Sequence, residues 1–128
     1  MNNEANNIIH INNLNNSTRK RYTLEQIENN LYYTIPKFLF SKEFENLSND
    51  ARVLYALLKD KHELSIKNKC VNENNEVYLE YTRKDMEFML GLTKPTIVKI
   101  VKELTKFGLL EEERPGNQKA NRIYLYEP

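Results

Sequence analysis

The sequence has few of the residues that cross-links, metals and catalysis require. Cys70 is its only cysteine, and His10 and His62 are its only histidines. A single thiol excludes an intramolecular disulfide and is typical of a cytosolic protein in which Cys70 merely packs. Neither histidine has a second ligand at zinc spacing, and no catalytic triad or dyad is recognisable. The three glycines form no phosphate-binding loop. We expect no metal, no cofactor and no enzymatic activity.

Long apolar runs are also missing. No stretch approaches the roughly 20 apolar residues that span a bilayer, and the opening residues MNNEANNIIH are too polar for a secretory signal. With 40% hydrophobic and 29% charged residues, the composition is ordinary for a soluble globular protein of one domain. These features predict a cytoplasmic location without membrane contact.

The first part of the chain predicts a tail. Eight of the first 17 residues are asparagine, and such a segment cannot bury enough apolar surface to offset its ordering entropy. We therefore expect residues 1–21 to be flexible and to end in the basic patch Arg19, Lys20 and Arg21. Residues 22–128 form the predicted domain, beginning with a short helix after Thr23.

A core helix and a strand are predicted next. Pro36 can open a short helical turn, and Ser48 can cap a helix over residues 49–64. The apolar residues at helical spacing in that helix are Val53, Leu54, Leu57, Leu58 and Leu64. Residues 76–82 are rich in β-branched and aromatic side chains and predict one strand.

Two helices separated by a glycine follow. Thr82 can cap the first helix, over residues 83–90. The apolar residues of this helix are Met86, Phe88, Met89 and Leu90. Gly91 ends it. The second helix, over residues 93–107, begins with Thr93 and tolerates Pro95 in its first turn. Its apolar face comprises Ile97, Ile100, Val101, Leu104 and Phe107.

A hairpin closes the sequence. Residues 109–114 and 121–126 flank Pro115-Gly116, which suits the centre of a type II turn. Two helices joined by a short glycine turn are the signature of a helix-turn-helix. With a strand before and a hairpin after, the order predicts an α+β, mainly α fold: a winged helix-turn-helix with a C-terminal β-hairpin wing.

Charge is concentrated in the second helix and the wing. The whole chain carries only +1, but residues 93–106 hold four lysines and one glutamate. Residues 114–122 hold three cations and no acid, so the remainder of the chain is net negative. Such clustering favours a nucleic-acid partner despite the low total charge.

These residues predict contacts with double-stranded DNA, because the second helix of the motif lies in the major groove. Its candidate contacts are Thr93, Lys94, Pro95, Thr96, Lys99, Lys102 and Lys106. Those of the wing are Arg114, Asn117, Gln118, Lys119, Asn121 and Arg122. Arg83 and Lys84, with the basic patch of the tail, are possible further phosphate contacts. Base readout stays open between Thr96, the wing and DNA shape.

Two other interpretations fit the same pattern. The chain can be a transcription regulator with a winged helix. It can also be a protein-interaction module that never binds DNA, in which the lysine face binds an acidic partner. The total charge of +1 motivates this second alternative.

Three strings, YYTIPKFLF, LSNDARVLYALLKDKHELSIKN and GLLEEERPGNQKANRIYLY, resemble the N-terminal domain of the RepA_N family of plasmid replication initiators. The resemblance covers residues 33–126 and implies binding to origin repeats (iterons) to initiate plasmid replication. It also implies a homodimer, and host replication proteins recruited by a C-terminal domain that these 128 residues are expected to lack. The apolar residues around Ile27, Leu31, Tyr32 and Tyr33 serve either dimerisation or packing within the chain.

Overall fold

The structure is a computed structural model that describes residues 19–24, 32–114 and 121–128. The chain divides into two compact units, Met1–Tyr32 and Tyr33–Pro128. In the first unit the described residues are exposed, and the Tyr32 hydroxyl donates to that of Tyr22 at 3.5 Å. The tail up to residue 18 and the helix predicted after Thr23 lie outside the described residues.

The second unit begins with two single turns of 3₁₀-helix, Lys37–Phe40 and Lys42–Phe44, where a short helical turn was predicted after Pro36. Their side chains Leu39 and Phe44 are buried in the core. The Arg52 guanidinium holds both turns, because it donates to the carbonyls of Leu39 at 2.8 Å and Phe44 at 3.0 Å.

The longest helix, α1 (Asn49–Lys67), begins where predicted and continues past the predicted end at residue 64. The Ser48 hydroxyl caps it by accepting the Ala51 N–H at 3.1 Å. Its buried residues include Ala51, Leu54, Tyr55, Leu57 and Leu58.

The assignment of Val53 and Leu64 to the core was wrong, since they are 43% and 46% exposed. The stripe of Ala51, Leu54, Tyr55 and Leu58 follows the spacing of three and four residues, and Val53 lies on the opposite side of the helix. Single apolar residues on a surface are common, so helical spacing alone did not reveal which face packs.

Helix α2 (Arg83–Leu90) confirms the predicted bounds and both end signals. The Thr82 hydroxyl accepts the Asp85 N–H at 3.0 Å, and the Asp85 carboxylate accepts the Thr82 N–H at 3.3 Å, which completes a capping box. Gly91 follows at φ 65°, the left-handed conformation that ends helices. Phe88, one of the apolar residues named for this helix, is 70% exposed because it lies on the other side of α2 from the buried Met86.

Helix α3 (Lys94–Lys106) is the predicted second helix of the pair, with Thr93 at its N-cap and Phe107 at its C-cap. The predicted apolar face is confirmed: four of its residues are buried, and the Phe107 ring lies 6.1 Å from that of Phe44. The face comprises Ile97, Ile100, Val101, Leu104 and Phe107. Gly108, at φ 74°, redirects the chain from α3 into the wing.

The wing consists of the antiparallel strands β1 (Leu110–Glu113) and β2 (Arg122–Leu125). Leu110 pairs with Leu125 and Glu113 with Arg122, which confirms the predicted hairpin arms. The predicted Pro115-Gly116 turn lies outside the described residues.

The prediction of one strand over residues 76–82 was wrong. That segment forms only isolated bridges, of Val77 with Val71 and of Leu79 with Ile123. Leu79 exchanges two backbone hydrogen bonds of 2.9 and 2.8 Å with Ile123, and residue 82 already caps α2. Because α2 begins directly after residue 82, too few residues remain for further backbone pairing with β2.

These elements form a winged helix-turn-helix, as predicted. Helices α2 and α3 meet through the Gly91 turn, α1 packs against α3, and the wing follows α3 directly. One cluster of buried residues joins α1, the Leu79 bridge, α3 and the wing. The lysine-bearing side of α3 points away from this core.

Candidate nucleic-acid interface

The exposed side of α3 carries the predicted lysine face, which we define as Lys99, Lys102 and Lys106. All three side chains are exposed, and no salt bridge joins them to a carboxylate in the described parts of the chain. Spacings of three and four residues place them one above the other on the helix. Lysine ammonium groups in such a row are suited to contact successive phosphates.

The first turn of α3 has its own polar groups. The Thr93 and Thr96 hydroxyls lie 3.2 Å apart and share a hydrogen bond, and Thr93 makes no side-chain cap to the backbone. Lys94 and Pro95 are exposed, whereas Thr96 is half-buried. The predicted contacts of α3 therefore all lie on its solvent side or at its N-terminus.

Glu103, the one acid of α3, is held by the N-terminus of α1. Its carboxylate accepts the Ser48 N–H at 2.9 Å and the Ser48 hydroxyl at 2.8 Å. A capping box normally takes its acid from the third residue of the same helix, but here that residue is Ala51. Glu103 supplies the missing carboxylate from α3, and the dipole of α1 favours it. This contact fixes the rotation of α3 and draws its acid toward α1.

The sequence did not reveal the link between Glu103 and Ser48, because its partners are 55 positions apart. The absent acid at residue 51 after a capping serine was a signal that the Ser48 N–H needs a distant acceptor.

Val98, which also lies at the solvent side of α3, was missed because an isolated valine at the border of an amphipathic helix is usually core.

Strand β1 is acidic, and each of its glutamates has a partner. Tyr126 donates its hydroxyl to Glu111, and this hydrogen bond is the main cause that raises the pKa of Tyr126. The Glu112 carboxylate receives two hydrogen bonds from Arg83, at 2.8 and 2.7 Å. Glu113 lies 3.9 Å from the guanidinium of Arg122. The two arginines offset part of the negative charge of the strand that leads to the wing tip.

Two arginines predicted as DNA contacts thus have protein partners. Arg83 is engaged with Glu112, and Arg122 also stacks on the Tyr78 ring, with its guanidinium carbon 4.4 Å from the ring centroid. Arg114 is exposed at the end of β1, and Asn121 is half-buried before β2. The predicted contacts Asn117, Gln118 and Lys119 lie outside the described residues.

The other predicted phosphate contacts are spread between the two units. Lys84 is exposed in the first turn of α2. Arg19, Lys20 and Arg21 are exposed in the unit Met1–Tyr32.

Within residues 19–24, 32–114 and 121–128, no three His, Cys, Asp or Glu side chains are grouped to hold a metal ion. His62 is half-buried, and burial followed by the nearby Lys59 lowers its pKa. No helix in the described parts of the chain is both long enough and apolar enough to cross a membrane.

Comparison with known proteins identifies a family. The family described as replication initiator protein A (RepA) N-terminus matches residues 31–127. A 41 kDa protein of Lactobacillus helveticus is 34% identical over 116 residues, which cover 85% of this chain and 33% of that protein. The chain therefore spans about a third of the length of this curated relative.

Three solved structures are similar over most of their length. One is described as the N-terminal domain of a DNA binding protein, with TM-score 0.68, 35% identity and coverage of 87% of this chain and 86% of that one. A Rep-DNA complex has TM-score 0.67, 36% identity and 85% coverage of both chains. An MDR initiator has TM-score 0.65, 35% identity and coverage of 85% and 87%. With its winged helix and a family match over residues 31–127, this chain belongs to the family of RepA N-terminal domains of replication initiators.

Proposed function

We propose that this domain binds double-stranded DNA sequence-specifically at repeated sites of a plasmid replication origin, and that this binding initiates replication. Helix α3 enters the major groove, and the hairpin wing flanks it. One observation carries the proposal: the solvent side of the second helix of the helix-turn-helix bears three exposed lysines without a salt bridge in the described chain.

The chemistry of the side chains assigns some residues to phosphate contacts and others to base contacts. Lys99, Lys102 and Lys106 contact phosphates, because an ammonium is a compact point charge with no fixed fork for base edges. Lys94, Thr93 and Thr96 lie at the helix N-terminus, where base contacts concentrate. Arg114 and Asn121 flank the wing tip, and we place the tip residues Asn117, Gln118 and Lys119 beside phosphates or the minor groove.

The family and the neighbouring structures support DNA as the partner. The chain shares 36% identity and 85% coverage with a protein solved as a Rep-DNA complex. If the lysine face instead bound an acidic protein, the domain would show no preference among DNA sequences. A DNA-binding experiment therefore distinguishes the two interpretations.

Two assays test the proposal. Labelled duplex carrying the origin repeats is titrated with the protein at about 150 mM salt beside scrambled duplex, and we expect a preference of roughly 10³-fold or more. Footprinting of the DNA that encodes the protein and its upstream region should give regularly spaced protection. A single isolated palindrome would instead indicate a transcription regulator, and equal binding to every duplex would contradict specific recognition.

We further propose that the domain acts as a homodimer, as the family resemblance implies. Tyr32 and Tyr33 are 52% and 39% exposed, while Ile27 and Leu31 lie outside the described residues. Sedimentation of the wild type and of Tyr33→Asp tests this. A dimer that the substitution dissociates supports the proposal, and a wild-type monomer at all concentrations contradicts it.

A further inference from the structure

A shallow groove runs along the solvent side of α3. It has a volume of about 400 Å³, and its walls come from α3 alone. We define the groove by its lining residues, which are Pro95, Val98, Lys99, Lys102, Glu103 and Lys106. It occupies the surface that the proposed function places against the major groove of DNA.

The polar groups of this groove have other assignments. The Glu103 carboxylate is held at the N-terminus of α1, where it accepts two hydrogen bonds from Ser48, so Ser48 and not a cytosine amino group sets its orientation. The lysines hold their ammonium groups on long stems that reach outward to phosphates, and the stems themselves are apolar. No asparagine, glutamine or arginine lines the groove to pair with a purine edge. What remains is an apolar floor of Pro95 and Val98.

Only one base offers an apolar group to such a floor. In the major groove, guanine, adenine and cytosine present nitrogen and oxygen atoms, whereas thymine adds its 5-methyl group. We propose that Pro95 and Val98 recognise thymine through this methyl group, and that they determine base specificity in the centre of the site. This inference rests on the proposed function, because it requires α3 to lie in the major groove.

The spacing of the two residues fits adjacent base pairs. Pro95 and Val98 are three positions apart, which is about 4.5 Å along a helix axis. Neighbouring base pairs are about 3.4 Å apart. Pro95 is exposed and Val98 is half-buried at the edge of the same face. The two side chains therefore meet thymines at neighbouring or near-neighbouring positions, rather than one methyl group together.

Deoxyuridine tests the inference, because it removes only the 5-methyl group and leaves the pairing of the base unchanged. The full chain first selects a duplex from a random-sequence pool. Each thymine of that duplex is then replaced singly by deoxyuridine, and the dissociation constant is measured for wild type, Val98→Ala and Pro95→Ala. Val53→Ala, the same change at an exposed valine of α1, is the matched control.

We expect one or two thymines at which deoxyuridine weakens wild-type binding about fourfold, the equivalent of about 0.8 kcal/mol for one buried methyl group. Val98→Ala should abolish the sensitivity at one of them, and Val53→Ala should retain it. If Val98→Ala unfolds the domain, Pro95→Ala gives the same test at an exposed position, where alanine suits a helix. Loss of sensitivity at the paired thymine supports the inference.

Two results would overturn it: no thymine methyl group matters to the wild type, or the sensitivity is equal in the wild type and both groove variants. Either result leaves the proposed function intact, provided that the wild type still selects a duplex. If the wild type selects no sequence at any salt concentration, the proposed function itself fails. The two failures are therefore distinguishable.

Discussion

At the scale of single residues, the contact between Ser48 and Glu103 determines how α3 sits on the core. Ser48 uses its hydroxyl twice, accepting from Ala51 and donating to Glu103, and its N–H is satisfied by the same carboxylate. One side chain thus begins α1 and orients α3. Removal of the Ser48 side chain should therefore lower the stability of the domain and change the orientation of the lysine face.

Ser48→Ala should therefore lower the free energy of unfolding by about 1–2 kcal/mol, since it removes a helix cap and a hydrogen bond to a carboxylate. Urea unfolding measures the change. Ser41→Ala is the matched control, because the Ser41 hydroxyl is exposed and donates only to the Phe38 carbonyl. Equal losses in the two variants would contradict a special role for Ser48.

Tyr55 gives the domain a pH dependence in alkali. Burial, followed by the charge of Glu127, raises the pKa of Tyr55 to about 12 from 10.0, and its hydroxyl donates to the Tyr126 carbonyl at 2.7 Å. Because the folded pKa is the higher one, this stabilisation is complete below pH 10 and is lost as the pH rises toward 12. Thermal unfolding should show a smaller loss of stability over that range in Tyr55→Phe than in wild type. An identical decline in the two proteins would count against this assignment.

At the scale of elements, Arg83 connects the helix-turn-helix to the wing. The guanidinium of α2 and the Glu112 carboxylate of β1 form two hydrogen bonds, and both side chains are largely shielded from solvent. From this geometry we expect Arg83 to position the wing rather than to contact phosphate.

A charge exchange separates these roles. Arg83→Glu and Glu112→Arg should each lower stability, and the double variant should recover part of the loss, with a coupling energy of about 1 kcal/mol. In DNA titrations, Arg83→Gln should leave the slope of log affinity against log salt unchanged. A slope reduced by about 0.9 would instead identify Arg83 as a phosphate contact.

Local signals explain which elements could be predicted. Ser48, Thr82, Gly91 and Gly108 act within a few residues of their own positions, so the start of α1 and both ends of α2 and α3 follow the sequence closely. The strand predicted over residues 76–82 does not form because residue 82 already caps α2 and only Leu79 pairs with Ile123, far along the chain.

The candidate site was predictable in its charges but not in their partners. The lysine face of α3 follows from helical spacing, whereas Arg83 and Glu112 are 29 positions apart and appear in the sequence as two unrelated charges. Val53 and Phe88 are likewise exposed because the other faces of α1 and α2 pack against the core. No local sequence pattern shows which face of a helix packs.

At the scale of the whole molecule, the distribution of charge matters more than its total of +1. The acids of β1 and α3 contact groups of the protein, and the lysine face keeps its charge toward solvent. A nearly neutral domain can therefore present one positive surface, and affinity for DNA should depend steeply on salt even though the net charge is small.

The most direct measurement is the salt dependence of DNA affinity in Lys99→Ala and Lys102→Ala. Each variant should bind origin-repeat duplex more weakly than wild type, and the slope of log affinity against log salt should fall by roughly 0.9 for each lost phosphate contact. Lys67→Ala, an exposed lysine at the end of α1, should leave both quantities unchanged. Unchanged affinity and slope in both α3 variants would contradict the assignment of the lysine face to DNA.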